Sequence, residues 1–176
     1  SEQAQEPPAP AVAVRPSHEE DDALETVAQA YPTYAKLRKQ AQAHARQGNF
    51  LAAITVYSTI VADATLPEEL RDQAHRDRAG AYLARADKGD IEKALKDYKA
   101  VGMGGVEVIV QANSAPLKLG STVKGTVRKA QIVEITNARG TWLWVCAVRG
   151  NDSLRGWIQE SALLKRAPAP SRSWLP

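Results

Sequence analysis

Two stretches of this chain repeat one another without a gap: residues 48–57 read G-N-F-L-A-A-I-T-V-Y, and residues 89–98 read G-D-I-E-K-A-L-K-D-Y. A Gly, a polar residue, a bulky apolar residue, a small Ala and a Tyr recur in phase, at an offset of 41 residues from Gly48 to Gly89. One helical unit cannot bury its apolar face alone, so repetition at this period predicts stacked helix pairs. Stacked helix pairs serve mainly as scaffolds for binding, which favours a binding protein over an enzyme.

Helix signals extend outward from both stretches. Apolar residues at helical spacing predict helices over residues 34–47, 50–62, 65–86 and 91–101. Thr65-Leu66-Pro67-Glu68 has the pattern of a helix start, with Thr65 as the capping residue. A further short helix over residues 19–30 is expected to cap one end of the stack, because two repeats are fewer than an array needs for stability.

The second half of the chain has a different period. From Val106 onward apolar and polar residues alternate, and β-rich runs cover residues 132–136, 142–148 and 156–158. Gly-containing turns separate these runs, so we expect about five short strands in a small antiparallel barrel. The fold class is therefore α+β in two domains. The linker between them is short, so the barrel is expected to pack against the last helices. Cys146 lies in the apolar run W-L-W-V-C-A-V, which favours a buried thiol.

Composition separates the two ends from the middle. The chain has a net charge of +3, but its first 33 residues are acidic and its C-terminal half is basic. This asymmetry favours an anionic partner or an arm that folds back on the basic half, although scattered solvating Lys and Arg would produce it as well. No basic cluster is dense enough to indicate nucleic acid, and no apolar run predicts a membrane span.

The predicted organisation is a disordered Pro/Ala-rich arm (1–16), a capping helix (17–31), helical repeats (32–103), a barrel (104–166) and a flexible tail (167–176). A Pro/Ala-rich leader of this kind is typical of exported proteins, so we expect a periplasmic or cell-envelope location.

The helical half resembles the tetratricopeptide repeat (TPR). G-N-F-x-x-A-I-x-x-Y and G-D-I-x-x-A-L-x-D-Y are similar to the turn and second helix of that repeat, and Arg78-Ala79-Gly80-Ala81-Tyr82-Leu83 is similar to a first helix. The resemblance covers roughly residues 34–101. It implies a superhelical groove that binds a peptide or protein partner.

The C-terminal half resembles a bacterial SH3-like domain over about residues 106–165. The residues that carry the resemblance are Ala115-Pro116-Leu117-Lys118, Gly125-Thr126-Val127, Gly140-Thr141-Trp142-Leu143-Trp144-Val145 and Gly156-Trp157-Ile158. The resemblance implies a binding module, often directed toward cell-wall peptide or a partner protein.

The TPR register assigns five polar residues to the concave groove. Arg38, Gln42 and Arg46 share one helix face at spacings of four residues, and Gln73 and Arg76 lie on the first helix of the next repeat. Arginine forms a bidentate fork with a carboxylate, so the resemblance implies that this groove holds an acidic segment or a C-terminus. A merely solvated helix face is the alternative.

Three Trp residues are candidates for a second binding surface. Trp142 and Trp144 are two apart on a strand and so point the same way, whereas Leu143 and Val145 face the core. Together with Trp157 they form a credible ligand platform. The alternative is that these indoles only cover the edge of the core.

No motif supports catalysis or metal binding. His18, His44 and His75 lie in separate segments without metal-ligand spacing, and no nucleophile-elbow, P-loop or dinucleotide motif occurs. We therefore expect no catalytic residue, no metal and no cofactor.

The function that these patterns favour is a non-enzymatic scaffold for protein–protein interactions. Peptide or protein partners would bind the basic TPR groove and the Trp-rich face of the barrel. An alternative is a cell-envelope targeting module that binds peptidoglycan through the SH3-like domain. A third reading has the acidic arm covering the basic surface as a strap.

Overall fold

The computed structural model describes residues 18–147 and 154–163. Within these residues, five helices precede six strands, which is an α+β layout in two parts, as predicted. The helices are α1 (His18–Gln29), α2 (Pro32–Arg46), α3 (Phe50–Ala62), α4 (Glu68–Arg85) and α5 (Asp90–Ala100). The predicted arm (1–16), residues 148–153 and the predicted tail (167–176) lie outside the described residues.

The helix starts follow from local chemistry, with one correction. α2 begins directly at Pro32, because proline has no N–H to lose in the first turn and its φ suits a helix. Asn49 caps α3 by accepting a hydrogen bond from the N–H of Ala52 at 3.3 Å. Thr65 does not cap α4, which was wrongly predicted. Its hydroxyl and N–H bond instead to the carboxylate of Asp63, and the helix begins at Glu68.

The repeated residues form the contacts between helices. Ala53 and Ala94, which occupy the same place in the two stretches, are both 0% exposed. Small residues at these points let neighbouring helices approach closely. α2, α3 and α4 each pack on the next helix, and α1 lies against both α2 and α4, with Leu24 and Ala28 against the helical core. The apolar face of each helix is therefore covered by its neighbours.

The strands form one antiparallel sheet in the order β1-β4-β5-β6-β2-β3. Their bounds are β1 (Val106–Ile109), β2 (Ser114–Leu119), β3 (Thr122–Arg128), β4 (Ile132–Arg139), β5 (Trp142–Ala147) and β6 (Leu154–Gln159). The sheet is not closed, so the expected barrel is corrected to an open sheet. Closure requires the two edge strands to pair, but in the described part of the chain β1 pairs with β4 alone and β3 with β2 alone.

The last helix shares its core with the sheet. Ile91 and Leu95 of α5 are buried in the same apolar cluster as Ile135, Leu143 and other inward-facing sheet residues. The carboxylate of Glu160, in a 3₁₀ turn (Glu160–Ala162) after β6, accepts the N–H of Gly89 at 3.0 Å from each oxygen. The sheet thus packs against the end of the helical stack, as the short linker led us to expect.

Candidate binding surfaces

Asp77 brings together two of the five groove residues. The Nε of Arg38 on α2 lies 2.8 Å from one oxygen of the Asp77 carboxylate, and the amide of Gln73 on α4 donates to the other oxygen, also at 2.8 Å. Burial, reinforced by the charge of Asp77, raises the pKa of the neighbouring Tyr57 to about 12. Arg38, one of the three arginines expected to bind a ligand carboxylate, is thus already paired with the carboxylate of Asp77.

Within the described residues, the other three groove residues form no hydrogen bond or ion pair with Asp77. Arg46 is exposed and its Nε donates to the backbone carbonyl of Gln42 at 3.3 Å. Gln42 itself is half-buried, and Arg76 is exposed on α4. All five residues lie on α2 and α4, the two helices against which α1 packs. α1 thus contacts the same two helices that carry the predicted groove residues.

A second buried carboxylate joins three helices. Asp97 on α5 is 3% exposed, and it accepts hydrogen bonds from the Nε and the terminal nitrogen of Arg78 at 2.8 and 2.6 Å. The Nδ1 of His75 lies 2.8 Å from the same carboxylate, and Arg78 also donates to the hydroxyl of Ser58 at 3.0 Å. Ser58 itself donates to a backbone carbonyl of its own helix. This arrangement joins α3, α4 and α5 through polar side chains.

Sequence reasoning missed both carboxylates, but one left a signal. Asp97 occupies the place in its repeat that Val56 occupies in the first copy. An acid at an otherwise apolar position of a repeat indicates a buried partner. Asp77 has no such signal, because it lies outside the repeated stretches.

The sheet brings the three predicted Trp residues together on one face. Leu143 and Val145 are fully buried, so the alternate side chains of β5, Trp142 and Trp144, point away from the core. Trp157 on β6 lies opposite Trp144, and their rings meet edge to face with centroids 5.4 Å apart. This confirms the predicted orientation of the strand.

Two cations lie on the indoles of this face. The ammonium of Lys118 on β2 lies 5.9 Å from the ring centroid of Trp142, and the guanidinium carbon of Arg139 on β4 lies 5.4 Å from the centroid of Trp157. Both distances are within the range of a cation–π interaction. We call these five residues, Lys118, Arg139, Trp142, Trp144 and Trp157, the Trp–cation face. Sequence reasoning missed the two cations, because their contacts depend on which strands are neighbours.

Cys146 lies on the same side of the sheet. The thiol was expected to be buried, but it is half-buried, because Cys146 alternates with the core residues Val145 and Ala147. Its ladder neighbours are Glu134 and Arg155.

A separate open groove of about 740 Å³ lies between α2 and α3. Its lining is mostly hydroxyl and apolar side chains, among them Thr33, Leu37, Thr55, Thr59 and Leu66. None of the predicted binding residues lines it.

The described helices include none with the length and apolar character needed to cross a membrane. Comparison of the chain with protein-family models, with curated proteins and with solved structures found no match.

Proposed function

We propose that the protein is a non-enzymatic scaffold that binds a peptide or protein partner, and that the Trp–cation face is its main contact surface. The observation that carries the proposal is the cluster of three indoles on the outer face of the sheet, with Trp142 37% exposed and Trp144 and Trp157 half-buried. Clustered Trp and Arg residues are enriched where interfaces gain most of their binding energy. The core of the sheet is filled from its other face, by residues such as Leu143 and Val145.

Two further proposals belong to this function. The helical half is a pair of TPR-type repeats, supported by the burial of the in-phase residues Ala53 and Ala94. The sheet is an SH3-like module with an open edge, supported by the order of its Gly-Trp motifs along the chain. The helices then hold the sheet at a fixed orientation, because α5 packs on α4 and contributes Ile91 and Leu95 to the core of the sheet.

The test is capture of partners from the organism that makes the protein, with three immobilised forms compared. These are the wild type, Trp142→Ala on the Trp–cation face, and Leu51→Ala as the control. Leu51 is 64% exposed on α3, so its removal takes away an apolar side chain from the helical half and leaves the sheet unchanged. Sedimentation with purified cell-wall sacculi is measured in parallel with the same three forms.

The proposal expects specific proteins that bind the wild type and the Leu51 control and are lost with Trp142→Ala. Pelleting with sacculi that depends on Trp142 would instead support the peptidoglycan-binding alternative. If Trp142→Ala retains every partner and no form pellets, the Trp–cation face is not the contact surface.

A further inference from the structure

The cations of the sheet differ from those of the helices in their partners. Arg38, Arg78 and Arg85 on the helices each pair with an Asp carboxylate at 2.6 to 2.9 Å. Within residues 18–147 and 154–163, Lys118 and Arg139 form no ion pair and lie on indole rings instead. The charges of these three Arg residues are therefore paired within the chain, whereas the charges of Lys118 and Arg139 lie over indoles and are left for a ligand.

Neither cation of the Trp–cation face lies over the indole of its own ladder partner. Lys118 is the ladder partner of Trp157, but its ammonium lies over Trp142; Arg139 is the ladder partner of Trp142, but its guanidinium lies over Trp157. Trp142 pairs with Gln159, so Trp142 and Trp157 are diagonal neighbours on adjacent strands. Such neighbours are about 7–8 Å apart, which is the approximate spacing of the two strand positions whose indoles carry the cations.

This spacing fits an extended peptide. Side chains two residues apart on an extended chain point to the same side and are separated by about 6.8 Å. Acidic residues at such positions would therefore lie one beside each indole and the cation that it carries. Arg139 offers a planar fork that matches a carboxylate, and Lys118 offers a point charge.

The rings are arranged poorly for stacking nucleic-acid bases. Base binding requires open aromatic faces, but Lys118 covers a face of Trp142, Arg139 covers a face of Trp157, and Trp144 meets Trp157 at an interplanar angle of 67°. The surface therefore presents cations that lie over the indole rings, rather than open ring faces.

We infer that the Trp–cation face binds an extended acidic segment of a partner protein, with carboxylates on alternate residues. The inference rests on the proposed function and adds the chemistry of the ligand. Lys118 and Arg139 bind the carboxylates, and Trp142 and Trp157 hold the two cations in position and contact the apolar parts of the peptide.

Binding of defined probes to the whole chain tests the inference. The probes are a fluorescein-labelled peptide of alternating Glu and Ala, the same peptide with Gln in place of Glu, and an oligothymidylate of the same charge. The proteins are the wild type, Lys118→Gln/Arg139→Gln, and the control Lys124→Gln/Lys129→Gln. The control removes the same charge from exposed positions of the sheet half, and circular dichroism verifies that all three fold alike.

The expected result is binding of the Glu peptide by the wild type, about tenfold weaker binding by Lys118→Gln/Arg139→Gln, and a change below about threefold in the control. The Gln peptide should bind at least tenfold more weakly, and added salt should weaken the Glu peptide. Equal binding of the Glu and Gln peptides, equal loss in the two double variants, absence of binding, or tighter binding of the oligothymidylate would each overturn the inference.

The same variants separate this inference from the proposed function. If captured partners are lost with Trp142→Ala but retained with Lys118→Gln/Arg139→Gln, the face is a contact surface and its ligand is not acidic. If partners are retained with both, the proposed function fails as well.

Discussion

Asp97 is a buried carboxylate that links α5 to two residues of α4. Its carboxylate faces Arg78 and His75 of α4, and Arg78 in turn reaches Ser58 of α3. A buried carboxylate is costly to desolvate and is tolerated because two groups compensate it. Removing the carboxylate leaves the compensating cation without a partner.

We predict that Asp97→Asn lowers the free energy of unfolding by about 3 kcal/mol, because it leaves the half-buried Arg78 charge unpaired. Urea denaturation of the wild type and the variant measures this loss. Asp87→Asn is the matched control, since Asp87 is exposed and lies 3.4 Å from Arg85. Its loss should stay below about 1 kcal/mol. Equal losses in the two variants would contradict the role given to Asp97.

Trp142 is predicted to matter for binding far more than for stability. Its side chain is substantially exposed on the outer face of β5, so Trp142→Ala should lower the free energy of unfolding by less than about 1 kcal/mol. Thermal unfolding measures this directly. A loss of several kcal/mol would mean that the indole belongs to the core, and the alternative reading of the Trp residues would then hold.

For single residues, the sequence predicts which side of a strand or helix a side chain faces better than it predicts which residue the side chain contacts. Alternation along β5 is a local property, and it correctly separates Leu143 and Val145 from Trp142 and Trp144. Arg38 and Asp77 are far apart in sequence, and no local pattern records that they meet. Predicted groove residues such as Arg38 can be placed on a helix face from spacing, but their ion partners cannot.

α5 is the element that links the two halves of the protein. It packs along α4, while its Ile91 and Leu95 lie in the core of the sheet. One short amphipathic helix therefore joins the sheet to the helical stack, and we expect the stability of the sheet to depend on a helix that precedes it in the chain.

We predict that Leu95→Ala lowers the free energy of unfolding by about 3 kcal/mol, because it opens a cavity in the sheet core. The unfolding midpoint measured by Trp fluorescence, which reports on the sheet, should fall together with the midpoint measured by far-UV circular dichroism. Lys96→Ala, at the next and exposed position of α5, should change neither midpoint appreciably. A fluorescence midpoint that does not move in Leu95→Ala would show that the sheet folds without α5.

The elements themselves were largely predictable, and their arrangement in the sheet was not. α3 occupies the range that its apolar face predicts, Phe50–Ala62. Alternation identifies β4 and β5, but the order of strands depends on contacts distant in sequence, and closure depends on whether the edges β1 and β3 meet. Closure was therefore the part of the fold predicted wrongly.

A polar contact joins the two halves of the described chain beside their apolar packing. Glu160 follows β6 and accepts the N–H of Gly89 before α5. Burial raises the pKa of the Glu160 carboxyl above its usual value, and the nearby Asp90 adds to this, while the Gly89 N–H and Lys88 act in the opposite direction.

A raised pKa in the folded protein means that the native state binds the proton more tightly than the unfolded state. The stability that protonated Glu160 contributes is complete below the unfolded pKa, near 4.5, and is lost as the pH rises through the folded pKa. We therefore predict that the wild type loses stability relative to Glu160→Gln as the pH rises from about 4 to 7. Urea denaturation of both proteins across this window measures the difference. A difference that does not vary with pH would contradict the prediction.

The central claim for the whole molecule is that it works as a scaffold through the Trp–cation face. The most direct measurement places a photo-crosslinking amino acid at Gln159, the ladder neighbour of Trp142, in cells that make the protein. Leu51, exposed on α3, carries the same group in the control. The account predicts discrete protein adducts from position 159 that disappear when Trp142→Ala is added, and no such adducts from position 51. Adducts at position 159 that persist without the Trp142 indole, or adducts from position 51 alone, would contradict it.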